Sequence, residues 1–203
     1  MTQAKVKFPT FEAYLSWSKE PGNFMEGRFE LIDGELFEVA PESEPNNWTA
    51  RCLMFLLVLR GNIEPRLVVT HSTEIQVPVL RAKDSANRYP DLVVLQPEHL
   101  ALTEKRLTIT SEMLPPQMVA EVMSPGKRNR DRDMIFKRDQ YAARGVPEYW
   151  LISPDDQSIT VLHLQDDAYI EVGTYRDMDV INSPAFPTLR LTAGQVFQDR
   201  LQP

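Results

Sequence analysis

Asp91 and Glu121 each stand in a short apolar run, RYPDLVVLQ and QMVAEVMSP, of the kind that forms a buried strand. A carboxylate in such a place must be paired, hydrogen-bonded or bound to a metal ion, because an isolated buried charge is strongly disfavoured. Two such acids in two strands point to one site. Lys137 supplies a third group. In the helical stretch from about Asn129 to Arg144, Met134, Lys137 and Tyr141 recur at i, i+3 and i+7, a single helix face, so the lysine lies on the stripe that turns toward the core. Two carboxylates and an inward lysine at the end of a sheet form a set for metal-assisted phosphodiester hydrolysis. The acids hold a divalent ion, and the amine orients the attacking water and offsets charge in the transition state.

Each residue has a competing structural reading. Asp91 after Pro90 also fits a turn, although the four apolar residues that follow favour a strand start. Glu121 as an exposed edge-strand acid conflicts with its apolar same-face neighbours, Val119 and Met123. Lys137 as a structural residue would pack its stem on Met134 and Tyr141 and extend its amine to water. His71, His99 and His163 show no zinc-ligand spacing and read as surface or satisfied histidines; Trp17, Trp48 and Trp150 read as core.

The elements around these residues follow from period and punctuation. Thr10 to Lys19 reads as a first helix with Thr10 as N-cap, and Asp33-Gly34 inside Arg28 to Val39 is a hairpin turn. A mostly buried helix is predicted from Asn47 to Arg60, closed by Gly61-Asn62, then strands at Arg66 to Thr70 and Glu74 to Leu80, the second an edge or bulged strand through Pro78. The strand Asp91 to Leu95 is followed by a loop from Gln96 to Thr110 and the strand Gln117 to Met123. The lysine-bearing helix, Gly145 as its C-terminal glycine, and the strand Glu148 to Ile152 complete a parallel crossover. Strands at Ser158 to Leu164 and Tyr169 to Tyr175 make a hairpin; a strand near Leu189 and a short helix from Thr192 to Phe197 come last. The fold class is α/β, an α+β mixed sheet flanked by helices with added antiparallel hairpins, in one domain spanning 1–203.

Composition limits the partners. The single cysteine, Cys52, excludes an intrachain disulfide framework and structural zinc, and fits a reducing, cytoplasmic setting. No signal-peptide pattern opens the chain, and its longest apolar run, Cys52 to Leu59, is too short to span a bilayer, so no membrane partner is expected. A net charge of -7 opposes broad nonspecific binding to nucleic acid, but between Gly126 and Arg138 six basic residues against two acids give +4 and leave -11 for the rest. That run is a candidate phosphate-facing rim, or a solvated helix face.

The order Tyr89-Pro90-Asp91, then EVMSP at Glu121 to Pro125, then KRDQYAARGVPEYWLI at Lys137 to Ile152 resembles the Uma-type family of restriction-endonuclease-like proteins, within the PD-(D/E)XK nuclease superfamily. FELIDGEL, Phe29 to Leu36, is similar to the opening motif of that family, and the likeness runs from about Phe8 to Phe197. The resemblance implies a restriction-endonuclease-like core in which Asp91 and Glu121 share Mg²⁺ or Mn²⁺, with the Val122 carbonyl as a further ligand and Glu30, which by its alternation with Ile32 reads equally as an exposed hairpin acid, as an extra site acid. Met123 stands where the plain superfamily motif has lysine; the family moves that lysine to the following helix, where Lys137 stands. Arg138 and Gln140 are further candidates to line the cleft, and Ser124 to hydrogen-bond near Glu121.

The function this implies is metal-dependent hydrolysis of DNA by an endonuclease, a homodimer being one way to cut both strands. The alternative is a catalytically silent nuclease-fold protein that binds nucleic acid or a protein partner; a third is an inert homo-oligomer built on the C-terminal hairpins.

Overall fold

In the computed structural model, residues 6–23, 25–123 and 130–198 are described, without the side chains of residues 130–133. Helix α1 is Phe11–Ser18, started by the Thr10 hydroxyl, which accepts from the Ala13 amide. Strands β1 (Phe29–Ile32) and β2 (Glu35–Glu38) close on the two-residue turn Asp33-Gly34, both at positive φ (+50° and +80°), the primed-turn geometry that matches strand twist. Gly34 is required twice over: a Cβ there would also sit 3.0 Å from the Phe8 carbonyl oxygen. Helix α2 (Glu44–Gly61) is capped by Ser43 and ends at Asn62, in the left-handed region.

Next come β3 (Val68–Thr70), β4 (Glu74–Gln76), β5 (Asn87–Arg88), β6 (Leu92–Val94), α3 (His99–Leu102), β7 (Thr108–Ile109) and β8 (Met118–Val122). Helix α4 (Arg130–Ala143), β9 (Glu148–Ser153), β10 (Ser158–Gln165), β11 (Ala168–Arg176) and α5 (Ala193–Val196) complete the order. Among the described residues, six strands form a mixed sheet in the order β11-β10-β9-β8-β6-β3, in which only β8 and β9 are parallel. They are joined through α4, the crossover that the pattern strand, helix, strand predicts. Every residue of β6 and β8 is buried, which is why both read as continuous apolar runs. The fold is therefore a mixed α/β arrangement, a central mixed sheet flanked by helices, with the β1-β2 and β10-β11 hairpins added.

A second sheet, β5-β4-β7, is held to the β1-β2 hairpin by an isolated bridge between Ile32 and Ser85, by the Ala86 amide on the Leu31 carbonyl, and by a side chain. The Asn87 amide oxygen accepts from the Leu31 N–H, and its nitrogen donates to the Phe29 carbonyl, both at 2.8 Å, so a side chain stands in for ladder bonds between sheets.

Several expectations are corrected. The stretch Gln96 to Thr110 is not a plain loop: it holds α3 and β7, the latter pairing in parallel with β4. Strand β4 ends at Gln76, before Pro78, and lies centrally in its small sheet rather than at an edge, since the proline interrupts only the chain beyond it. No strand forms at Leu189 among the described residues; that region makes an isolated bridge between Val180 and Thr192. Trp150 is core, whereas Trp17 and Trp48 are half-buried. Helix α2 is buried on one face only, leaving Phe55 and Leu59 exposed.

His99 is fully buried and pinned as the neutral ring. Its Nδ1 accepts from the Gln96 amide at 3.1 Å, so Nε2 carries the proton and donates to the Leu114 carbonyl at 2.9 Å. Burial holds its pKa below the ordinary imidazole value, and a second proton would face the Gln96 N–H. The native state resists the proton that the unfolded chain accepts, so stability is present above about pH 6.5 and is lost as pH falls below it. We expect the urea midpoint to fall more steeply from pH 7 to 5 in the wild type than in His99→Gln; parallel curves would refute the assignment.

Candidate active site

Strand register brings the two predicted acids together. Leu92 pairs with Ala120 across β6 and β8, so Asp91, one residue before β6, meets the end of β8 at Glu121 and Val122. The Val122 amide donates to Asp91 Oδ2 at 2.6 Å. Because Met123 N–H donates to the Ile152 carbonyl on the opposite side, strand alternation turns the Val122 carbonyl, like its N–H, toward Asp91. Both carboxylates are buried, at 5% and 3% exposure.

Helix α4 completes the cluster from above the sheet. Lys137 Nζ donates to Glu121 Oε2 at 2.8 Å, and the Tyr141 hydroxyl donates to Oε1, also at 2.8 Å. Residues i and i+4 of one helix face thus clasp one carboxylate. Burial raises the Glu121 carboxyl above its ordinary value; the Lys137 charge opposes that rise and the Asp91 charge adds to it. For Lys137, burial alone would lower the ammonium, but Glu121 and Asp91 outweigh it and hold it above the ordinary lysine value. Tyr141 is pushed well above its ordinary range by burial and by Glu121, so it remains a donor.

Arg88, which the sequence reading missed, organises the neighbouring wall. Its guanidinium donates to Glu30 Oε2 at 2.9 Å and, through two nitrogens, to Gln140 Oε1 at 3.0 and 2.8 Å. Gln140 is fully buried and donates in turn to the Pro78 and Ser85 carbonyls. Glu30 and Arg88 line, with Phe37, Glu38, Val39, Phe136 and Lys137, a cleft of about 240 Å³. Of the remaining candidates, Arg138 turns away to the Tyr169 carbonyl on β11. Ser124, Lys127 and Arg128 lie outside the described residues, as do the side chains of Arg130 and Arg132.

On the other side of Asp91 stands a set with no signal in the sequence. Glu42, His71 and Asp91 each offer one ligand atom, all within 4.8 Å of one another. The antiparallel β3-β6 pairing, Thr70 opposite Leu92, places His71 beside Asp91, with Nδ1 3.4 Å from Oδ1. This corrects the reading of His71 as a surface or satisfied histidine. Arg28 lies 3.6 Å from Glu42 and donates to the His71 carbonyl, bracing that loop. Tyr141 could have been found, since it shares the Lys137 stripe; His71 and Glu42 are brought in only by register and loop closure.

Other acids are buried as deeply and serve structure. Glu74 accepts from Arg106, Thr108 and Asn87, while Glu148 accepts from Trp150, Ser183 and the Ala185 amide. Both are encircled by donors. Asp91 and Glu121 differ in standing on adjacent strands within reach of each other's charge, with Glu121 bonded to a lysine that lines the cleft. Two oxygen donors and the Val122 carbonyl fit a hard divalent cation, each Glu121 oxygen keeping a second lone pair beside its hydrogen bond.

Residues 11–194 match the model of the Uma2 family, described as "Putative restriction endonuclease". Among solved structures, the chain is similar to a protein from Anabaena variabilis ATCC 29413 described as a putative nuclease belonging to DUF820. The two share 17% identity over 93% of this chain and 97% of that one, with a TM-score of 0.60, a likeness of fold. No curated protein matches.

The clasp has a measurable consequence. In Lys137→Met, Glu121 loses its cation while staying buried, and stability should fall by roughly 3 kcal/mol, at the low end for buried pairs because the lysine side chain is 24% exposed. The double variant Lys137→Met/Glu121→Gln should recover most of that loss in urea denaturation. Additive losses would mean that the two side chains are not coupled.

Proposed function

We propose that this chain, which belongs to the Uma2 family, is a metal-dependent endonuclease that hydrolyses DNA phosphodiester bonds. The family supports a nuclease. The observation that carries the finer reading is the convergence of Asp91, Glu121 and Lys137, from two adjacent strands and one helix, with Lys137 lining a cleft. One domain spanning the chain carries the whole site in this reading.

Asp91, Glu121 and the Val122 carbonyl would hold Mg²⁺ or Mn²⁺, which when bound supplies Lewis acidity and a more acidic water. The Val122 amide fixes the Asp91 carboxylate through Oδ2, and Oδ1 lies 3.4 Å from His71 Nδ1. Lys137 keeps Glu121 ionised against its burial and places a positive charge where negative charge grows on phosphorus-bound oxygens. Tyr141 holds the second Glu121 oxygen, and Glu30 with Gln140 aims Arg88 along the cleft. The donors already on both Glu121 oxygens also favour a second reading, a nuclease fold that binds without cutting.

Cleavage of supercoiled plasmid and of single-stranded DNA in Mg²⁺ and Mn²⁺ at low salt separates the two. The wild type should cut, and Asp91→Ala, Glu121→Ala and Lys137→Ala should lose about 100-fold or more while remaining folded. Variants as active as the parent, or no cleavage in either metal, would leave the binding reading.

A further inference from the structure

Phe37 stands on β2 in the sequence ELFE, 48% exposed, and lines the cleft that Lys137 and Arg88 also line; Phe136, the residue before Lys137, lines it too. Phe37 thus presents about half of an aromatic ring to water at the cleft wall. We propose that this cleft takes one unpaired nucleobase, stacked on Phe37, and that the chain prefers single-stranded or frayed nucleic acid over an intact duplex. The inference rests on the nuclease reading above only for the choice of nucleic acid as ligand.

Three observations argue for it. The first is size: at about 240 Å³ the cleft lies below the range usual for small-molecule pockets, which suits a single flat group and not the face of a double helix. The second is charge. Both cations at the cleft are already matched, Arg88 to Glu30 and Gln140 and Lys137 to Glu121, while Glu30 and Glu38 line the same walls. Such a lining gives weak attraction to phosphates, so binding here must come from something other than counterion release. The third is the chemistry of the rings. Aromatic faces bind bases by stacking, which is tolerant of sequence, but inside a duplex those faces are covered by neighbouring pairs and only edges are offered. A base reaches Phe37 only after leaving the stack.

Binding of a fluorescent single-stranded 12-mer, the same strand with one abasic position, and the matching duplex tests this by anisotropy, with Ca²⁺ replacing Mg²⁺. The wild type should bind the single strand more tightly than the duplex. Phe37→Ala and Phe37→Leu should weaken single-strand binding about 5- to 150-fold, and Phe37→Trp should preserve it, since stacking needs an aromatic face. Abasic substitution should cost the wild type and spare Phe37→Ala. Phe37 is exposed on a hairpin, so these variants keep the fold; Phe136→Leu gives an independent check on the same cleft. Tighter duplex binding, an unaffected Phe37→Ala, or full binding by Phe37→Leu would each overturn the proposal. A wild type that cuts plasmid yet ignores Phe37 sinks the stacking proposal and leaves the nuclease reading standing, whereas single-strand binding lost in Phe37→Ala without any cleavage does the reverse.

Discussion

The contact between Lys137 and Glu121 ties a helix to the centre of a sheet, and the rest of the site depends on it. Glu121 is a charge in a place where charge is strongly disfavoured, on a strand buried at every residue. Its stability there comes from one ammonium and one phenol on a single helical face. That requirement sets the rotation of α4 about its own axis. With the rotation set, Gln140 points at Arg88, and Tyr141 packs edge-on against Tyr149 of the neighbouring strand, their ring centroids 5.3 Å apart. One electrostatic need thereby orders polar and aromatic contacts on both sides of the helix.

The ends of the strands are a natural place for such a cluster. Within β8 the backbone groups are occupied by the ladders to β6 and β9, but where β6 begins the ladder runs out and Asp91 takes the Val122 amide with its side chain. The same termination lets His71, at positive φ, follow β3 and come beside Asp91. Acidic groups therefore accumulate where regular pairing stops. The cleft on the far side of Lys137 is walled instead by a hairpin from another part of the chain.

Much of this was legible in the sequence, and the reasons differ between elements. The primed turn at Asp33-Gly34, the Thr10 cap and the Asn62 terminus are local, each written in a few adjacent residues with a particular backbone need. The β8-α4-β9 crossover was legible because its strands are apolar on both faces and its helix has a clear stripe. Burial of an acid in an apolar run was a weaker guide than it looked: Glu74 and Glu148 satisfy the same criterion and are structural, distinguished only by donors arriving from distant segments. Arg88, His71 and Glu42 were invisible for the converse reason. Their roles follow from pairing register and loop closure, to which no single stretch of sequence is sensitive, and β7 escaped because two residues carry no period.

Asn87 joins the β1-β2 hairpin to the smaller sheet through its side chain rather than through a continuous ladder. The cleft consequently has two walls of different character. One, made of α4 and the central strands, is committed to the acids and the lysine and tolerates little change. The other is the hairpin, joined to the smaller sheet by Asn87, by the Ala86 amide on the Leu31 carbonyl and by Arg88 on Glu30, and it presents Phe37 at 48% exposure. Substitutions on that second wall would reshape the cleft while leaving the contact between Lys137 and Glu121 as it is.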